Sequence, residues 1–211
     1  MDDYGAENKG LDRILALSDG IFAFSLTLLA LNLVVPQITS SQEGAELTQK
    51  LVALVPNFII FIWSFFIVSF YWFGHHRVFR FVKRYDAVLI WLNLVMLMFI
   101  TLVPFFTNLN MLYGNMQVAV VVAAIFYSAP GITMSLLWRH SSNHHLLIDP
   151  GLPEDRITLA RWRGYVAPIV FLLSIPFSFI HPYVTLAFWV MILPLRIVIE
   201  RKFKVHEKVK S

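Results

Sequence analysis

The segment Arg13-Ile-Leu-Ala-Leu-Ser18-Asp19-Gly20-Ile-Phe-Ala-Phe24-Ser25-Leu-Thr27-Leu28-Leu-Ala-Leu31 opens on an arginine and holds one acid, and apolar residues then dominate through Val35. A hydrocarbon core of roughly 30 Å takes about 20 helical residues to cross, so a helix over 13–35 can span it. The run is too long for the centre of a cleavable signal peptide, and the start Met1-Asp2-Asp3-Tyr4 is acidic where such a peptide is basic. A retained first membrane span is expected. Asp19 is the costly residue within it. An intramembrane carboxylate is penalised by at least ~2.5 kcal/mol on insertion scales and normally meets a partner or water.

The rest of the chain agrees. Of its 211 residues 58% are hydrophobic and 14% charged, well short of the roughly one quarter charged that a soluble domain carries. Nineteen Phe and six Trp leave too little polar surface to cover a soluble globule, and the same numbers exclude disorder. Cysteine is absent, which removes disulfides, thiolate metal sites and thiol catalysis. Apolar runs between charged or turn-forming stretches give six spans, roughly 13–35, 50–74, 86–106, 116–138, 162–180 and 182–199. No alternation of the kind a β-barrel requires is present. The expected fold is an all-α integral membrane protein, a single domain over 1–211 with six transmembrane helices.

Lys and Arg orient the spans. With six crossings both termini share a side with the second and fourth connections. That side collects Lys9, Arg13, Arg77, Arg80, Lys83, Arg84, Arg139, Arg156, Arg161, Arg163, Arg196, Arg201, Lys202, Lys204, Lys208 and Lys210, against Lys50 alone on the other. Cytoplasmic N- and C-termini follow, in a multi-pass protein of the cell membrane. The net charge of +4 then reads as topology and contact with lipid headgroups, not as a nucleic-acid surface. Apolar and aromatic residues persist from Leu51 to Val82, about 48 Å if wholly helical. The second helix is therefore expected to tilt or to extend beyond the membrane.

Arg13 stands six residues before Asp19 and points roughly 120° away from it on an ideal helix. Partners for the acid are more naturally sought at the same depth on the second span, where Trp72, His75, His76 and Arg77 fall. The bland alternative is an Asp19 solvated at the interface. Phe24, Leu28 and Leu31 recur on one helical face with Thr27 beside them. Such a stripe suits lipid, a protein core or a pore, and the spacing alone does not choose. Ser25 lies off the stripe, where a small side chain permits close helix packing.

Two motifs resemble a known family. Arg13-x4-Ser18-Asp19 ahead of an apolar helix is similar to the signature opening of the transmembrane-protein-175 potassium channels, with Leu17 where Phe is usual. Tyr71-Trp72-Phe73-Gly74-His75-His76-Arg77 resembles that family's aromatic-and-histidine motif at the end of the second helix. The resemblance implies a homotetramer of six-helix units whose first helices line a central, potassium-permeable pore. It further implies a structural network of Arg13, Ser18, Asp19, Trp72 and either His75 or His76. The constriction would comprise Phe24, Thr27, Leu28 and Leu31, with Phe24 standing where the family commonly has Ile.

No other constellation competes. His140, His144 and His145 lack a nearby carboxylate or cysteine to complete a metal site, and a solvated loop is expected for them. Asn57 and Asn93 suit interhelical hydrogen bonds. No nucleophile–base pair, phosphate loop or paired intramembrane carboxylates are present, so no enzyme is expected. No cofactor or metal is expected beyond permeating potassium ions, and no partner beyond the lipid bilayer and further copies of the chain. The competing functions are a secondary transporter, which usually shows internal repeats and midplane polar groups, and a non-conducting membrane scaffold.

Overall fold

The computed structural model describes residues 2–38, 43–192, 194, 195 and 197–199. Helix dominates these residues, and their β pairing is limited to one isolated bridge between Val82 and Ile148. In chain order the α-helices are α1 (Asp2–Ala30), α2 (Glu43–Ala53), α3 (Val55–Phe79), α4 (Ala87–Tyr113), α5 (Gln117–Ser142), α6 (Glu154–Ser174) and α7 (Pro182–Phe188). Five are long and apolar enough to cross a membrane: α1 from Lys9, α3, α4, α5 and α6. Single 3-10 turns at Asn143–His145 and Ile175–Phe179 extend α5 and α6.

Several expected boundaries move, each for a local reason. The first helix ends at Ala30 instead of Val35. Pro36 disfavours helix in the residue before it, and the Asn32 side chain donates to the Pro104 carbonyl of α4 at 2.9 Å, fastening the exit of α1. The long run from Leu51 to Val82 is not one helix. Pro56 sits in the first turn of α3, where a missing N–H costs nothing, and α2 is a separate short helix carrying the Lys50–Glu46 ion pair. The expected sixth span, 182–199, holds α7, a 3-10 turn at Trp189–Met191 and further helical residues, but no continuous long α-helix among the described residues. Of the expected basic cluster, Arg196, Arg201, Lys202, Lys204, Lys208 and Lys210 lie outside the described residues.

α5 is the central helix, packed on α4 along one side and α6 along the other, while α1 leans on α3 and α4. Its buried Val120, Ala123 and Ala124 are small enough to let those neighbours approach. Gly131 serves the same purpose more sharply. A Cβ there would fall 2.5 Å from Pro168 Cγ of α6 and 3.3 Å from Tyr71 Cε1 of α3. A proline ring cannot swing aside, so Gly131→Ala is expected to cost about 1–3 kcal/mol through overpacking. Gly74→Ala, whose Cβ meets nothing within 4 Å, should be neutral. Thermal unfolding of the two variants in detergent checks the difference.

On the basic side, Asp86 caps α4 by accepting from the Leu89 N–H at 2.8 Å. Its other oxygen lies 2.7 Å from His140 Nε2. His140 is thus in the last turn of α5 and pinned to α4, which corrects the expected solvated loop. Partial burial would raise the Asp86 carboxyl, yet the Leu89 N–H and His140 together hold it below the usual value. A carboxyl depressed on folding contributes stability that is full above its unfolded pKa and lost as pH falls through its folded one. The stability gap between wild type and Asp86→Asn should therefore close on acidification, an outcome read from unfolding midpoints between about pH 7 and about pH 3.

Candidate functional site

α1 has two faces. Ser18, Phe22, Ser25 and Leu29 follow one another at spacings of four, three and four residues, and all four are essentially inaccessible. This is the face turned to α3 and α4. On the other side Phe24 is 62% and Leu31 74% exposed, Thr27 is exposed and Leu28 half-buried. Among the described residues, the expected stripe is thus left open at Phe24, Thr27 and Leu31 and partly covered at Leu28. Leu31 is corrected in one respect. It lies just past the last α-helical residue, its N–H bonded to the Leu28 carbonyl at 3.2 Å in a tightened turn, and so it ends the stripe off the α-helix. The Thr27 hydroxyl donates to the Phe24 carbonyl at 2.8 Å, so its lone pairs remain directed away from the backbone.

Polar bonds hold α1 at two places, at Asp19, which is itself exposed beside the buried face, and at the fully buried Ser18. Trp72 Nε1 of α3 donates to Asp19 Oδ1 at 2.8 Å. One turn along α3, His75 Nε2 lies 2.9 Å from Asn93 Oδ1 of α4, and Asn93 Nδ2 donates to Ser18 Oγ at 3.0 Å. Ser18 in turn donates to the Ile14 carbonyl at 2.8 Å. An amide oxygen only accepts, so His75 Nε2 carries the proton, and the chain runs one way from α3 through α4 into α1. Aromatic rings enclose the imidazole, with Phe79 stacked at 4.3 Å and Phe22 tilted at 5.7 Å.

Of the residues expected to meet, Trp72 bonds Asp19, and His75 reaches Ser18 through Asn93. Neither histidine hydrogen-bonds Asp19. The indole takes that place, while His76 stacks on Trp72 at 5.9 Å and remains exposed. Arg13 is exposed and, among the described residues, outside this network. Asn93 was anticipated as an interhelical amide and is in fact the joint of the whole arrangement. Its signal is an amide amid the apolar start of α4, but nothing in the spacing names its partners. A second buried polar group was not anticipated: Tyr71 Oη donates to the Tyr127 carbonyl at 2.5 Å, and the Tyr127 hydroxyl meets Thr107 Oγ1 at 3.2 Å. Among the described residues no group of three or more His, Asp or Glu is placed to hold a metal.

A multi-pass helical bundle whose first helix is pinned on one face and bare on the other defines a membrane protein that presents that helix to something outside its own fold. Relatives supply the family. The model of the endosomal/lysosomal potassium channel TMEM175 matches residues 13–104, which contain both faces of α1 and the three helices of the network. A potassium channel from Chamaesiphon minutus is 32% identical over 177 residues, covering 82% of this chain and 87% of that one. A potassium channel from Streptomyces collinus is 32% identical over 179 residues, covering 83% and 85%. The crystal structure of a lysosomal potassium-selective channel TMEM175 homolog from Chamaesiphon minutus superposes with a TM-score of 0.76 at 29% identity, over 92% of this chain and 98% of that chain. The chain belongs to the TMEM175 channel family.

Proposed function

We propose that four copies of this chain assemble with their first helices innermost and conduct potassium ions across the cell membrane. The observation that carries the reading is the exposed Phe24 and Thr27, with the half-buried Leu28 beside them, opposite the anchored face of α1. A stripe fixed in direction by Ser18, Asp19, Trp72, His75 and Asn93 is suited to meet its own copies around an axis. Rings of Phe24, Leu28 and, at the helix end, Leu31 would form a hydrophobic constriction that gates by dewetting. Thr27 would offer oxygen to an ion that has lost part of its hydration shell. Relatives bearing the name of potassium channels support the choice of ion. In this reading residues 1–211 form one channel domain, the segment 182–199 completes a sixth crossing, and both termini are cytoplasmic, which the Lys and Arg distribution supports. Arg13, outside the network within one chain, is available to a neighbouring copy or to headgroups.

Reconstitution in liposomes tests the function. Uncoupled potassium flux is expected. Saturable coupled exchange would instead make the protein a transporter, and no flux from intact protein would make it a scaffold. Mass analysis in mild detergent is expected to give a tetramer, and a strictly monomeric protein would overturn the assembly.

A further inference from the structure

A cavity of about 250 Å³ lies between α3, α5 and α6, at the end of the bundle that carries most of the Lys and Arg. Two arginines contribute to its wall, Arg77 from α3 and Arg163 from α6, and the remainder is largely apolar, with Phe70, Phe73 and Ile197 among the lining residues. Gly74 borders the same space, and a Cβ built there meets nothing within 4 Å, so the missing side chain leaves the space open. Phe73 is 55% and Ile197 52% exposed, so the mouth opens at the surface of the chain. Its depth is that of the membrane interface: Gly74 lies two residues beyond Trp72, and Arg77 is within a turn of the end of α3. Both arginines interact within the chain.

We propose that this cavity seats the headgroup of an anionic phospholipid. Guanidinium forks match phosphate oxygens in geometry as well as charge, and basic pockets between transmembrane helices at the headgroup level suit acidic lipids. The apolar part of the wall decides between a lipid and a soluble phosphate. Phe70 and Phe73 continue along α3 towards the membrane interior, where they offer an acyl chain a bed that a free organophosphate would not use. A zwitterionic headgroup would bring its ammonium against the same two arginines and is disfavoured. The site is separate from the stripe on α1, and its test is independent of conduction.

The test is native mass spectrometry of the delipidated full chain, titrated with phosphatidylglycerol, with phosphatidylcholine of the same acyl chains, and with glycerol phosphate. One phosphatidylglycerol per chain is expected to be retained, at least about fivefold more tightly than phosphatidylcholine, with about fivefold lost in each of Arg77→Gln and Arg163→Gln. Gly74→Leu fills the space and should abolish that retention with an unchanged elution volume and unfolding midpoint. Should Gly74→Leu misfold, the two arginine variants carry the test. Equal retention of the two lipids, or retention unaffected by these substitutions, would reduce the bound lipid to nonspecific coating and overturn the proposal. Glycerol phosphate binding as tightly as the lipid would overturn it too, by making the cavity a soluble-anion site.

Discussion

Asn93→Leu is expected to lower stability by about 2 kcal/mol and to abolish flux. The substitution removes an amide that bonds helices α3 and α1 at once. It leaves the buried His75 Nε2–H without an acceptor and deprives Ser18 of its donor, each worth of the order of 1 kcal/mol. Asn57→Leu is the control, since Asn57 makes no side-chain hydrogen bond among the described residues, and it should do little. Asp19→Ala, which removes the acceptor of the half-buried Trp72 N–H, should likewise reduce tetramer yield or flux, while Asp12→Ala, outside the network, should not. Unfolding midpoints and flux per reconstituted protein give the answer. Indistinguishable effects of Asn93→Leu and Asn57→Leu would mean that the network does not anchor the helix.

Phe24→Ala is the second large effect, and it acts in the opposite direction. In the proposed assembly four phenyl rings approach one another around the axis. A ring fills more cross-section, and a narrower apolar layer is harder to wet. Truncation to Ala is expected to raise potassium flux several-fold and to admit sodium more readily. Leu28→Ala should act in the same direction, and Thr27→Val should reduce selectivity more than expression. Flux normalised to intact tetramer separates this from simple destabilisation. Phe24 is 62% exposed within its chain, so its loss should leave the isolated subunit's stability nearly intact. An unchanged normalised flux and sodium-to-potassium ratio would place the ring outside the pore.

The membrane class was legible because it rests on composition and the length of apolar runs, whereas attention to α1 came from its carboxylate and from the resemblance of two motifs. An apolar run of adequate length and a carboxylate within it are visible without coordinates. Helix ends were less so, because hydropathy marks where lipid stops and not where hydrogen bonding does. α4 continues past the expected 106 to Tyr113 and α5 past 138 to Ser142. The break at Leu54 was hidden for a related reason: the apolar run from Leu51 to Val82 continues across Pro56, which opens a new helix. Equal depth narrowed the partner of Asp19 to Trp72, His75, His76 and Arg77, and the indole is the one that makes the bond. The role of Asn93 did not, since it depends on the rotation of α4 against two other helices, and one chain's spacing carries no such information. The Asp86–His140 pair was out of reach for the same reason, its members being 54 positions apart.

The anchored face of α1 also makes the length of the segment between anchor and stripe a quantity in its own right. Ser18 and Asp19 fix the azimuth of the helix, and every residue beyond them adds about 100°. A single residue inserted between Gly20 and Phe24 would leave each bond of the network intact and still swing Phe24, Thr27 and Leu28 by more than a quarter turn, carrying the stripe off its axis and bringing other side chains in its place. Substitutions along α1 are therefore graded changes, whereas insertions and deletions over 20–23 act like turning a key in the wrong direction. This short stretch should tolerate exchange of residue type far better than any change in residue number.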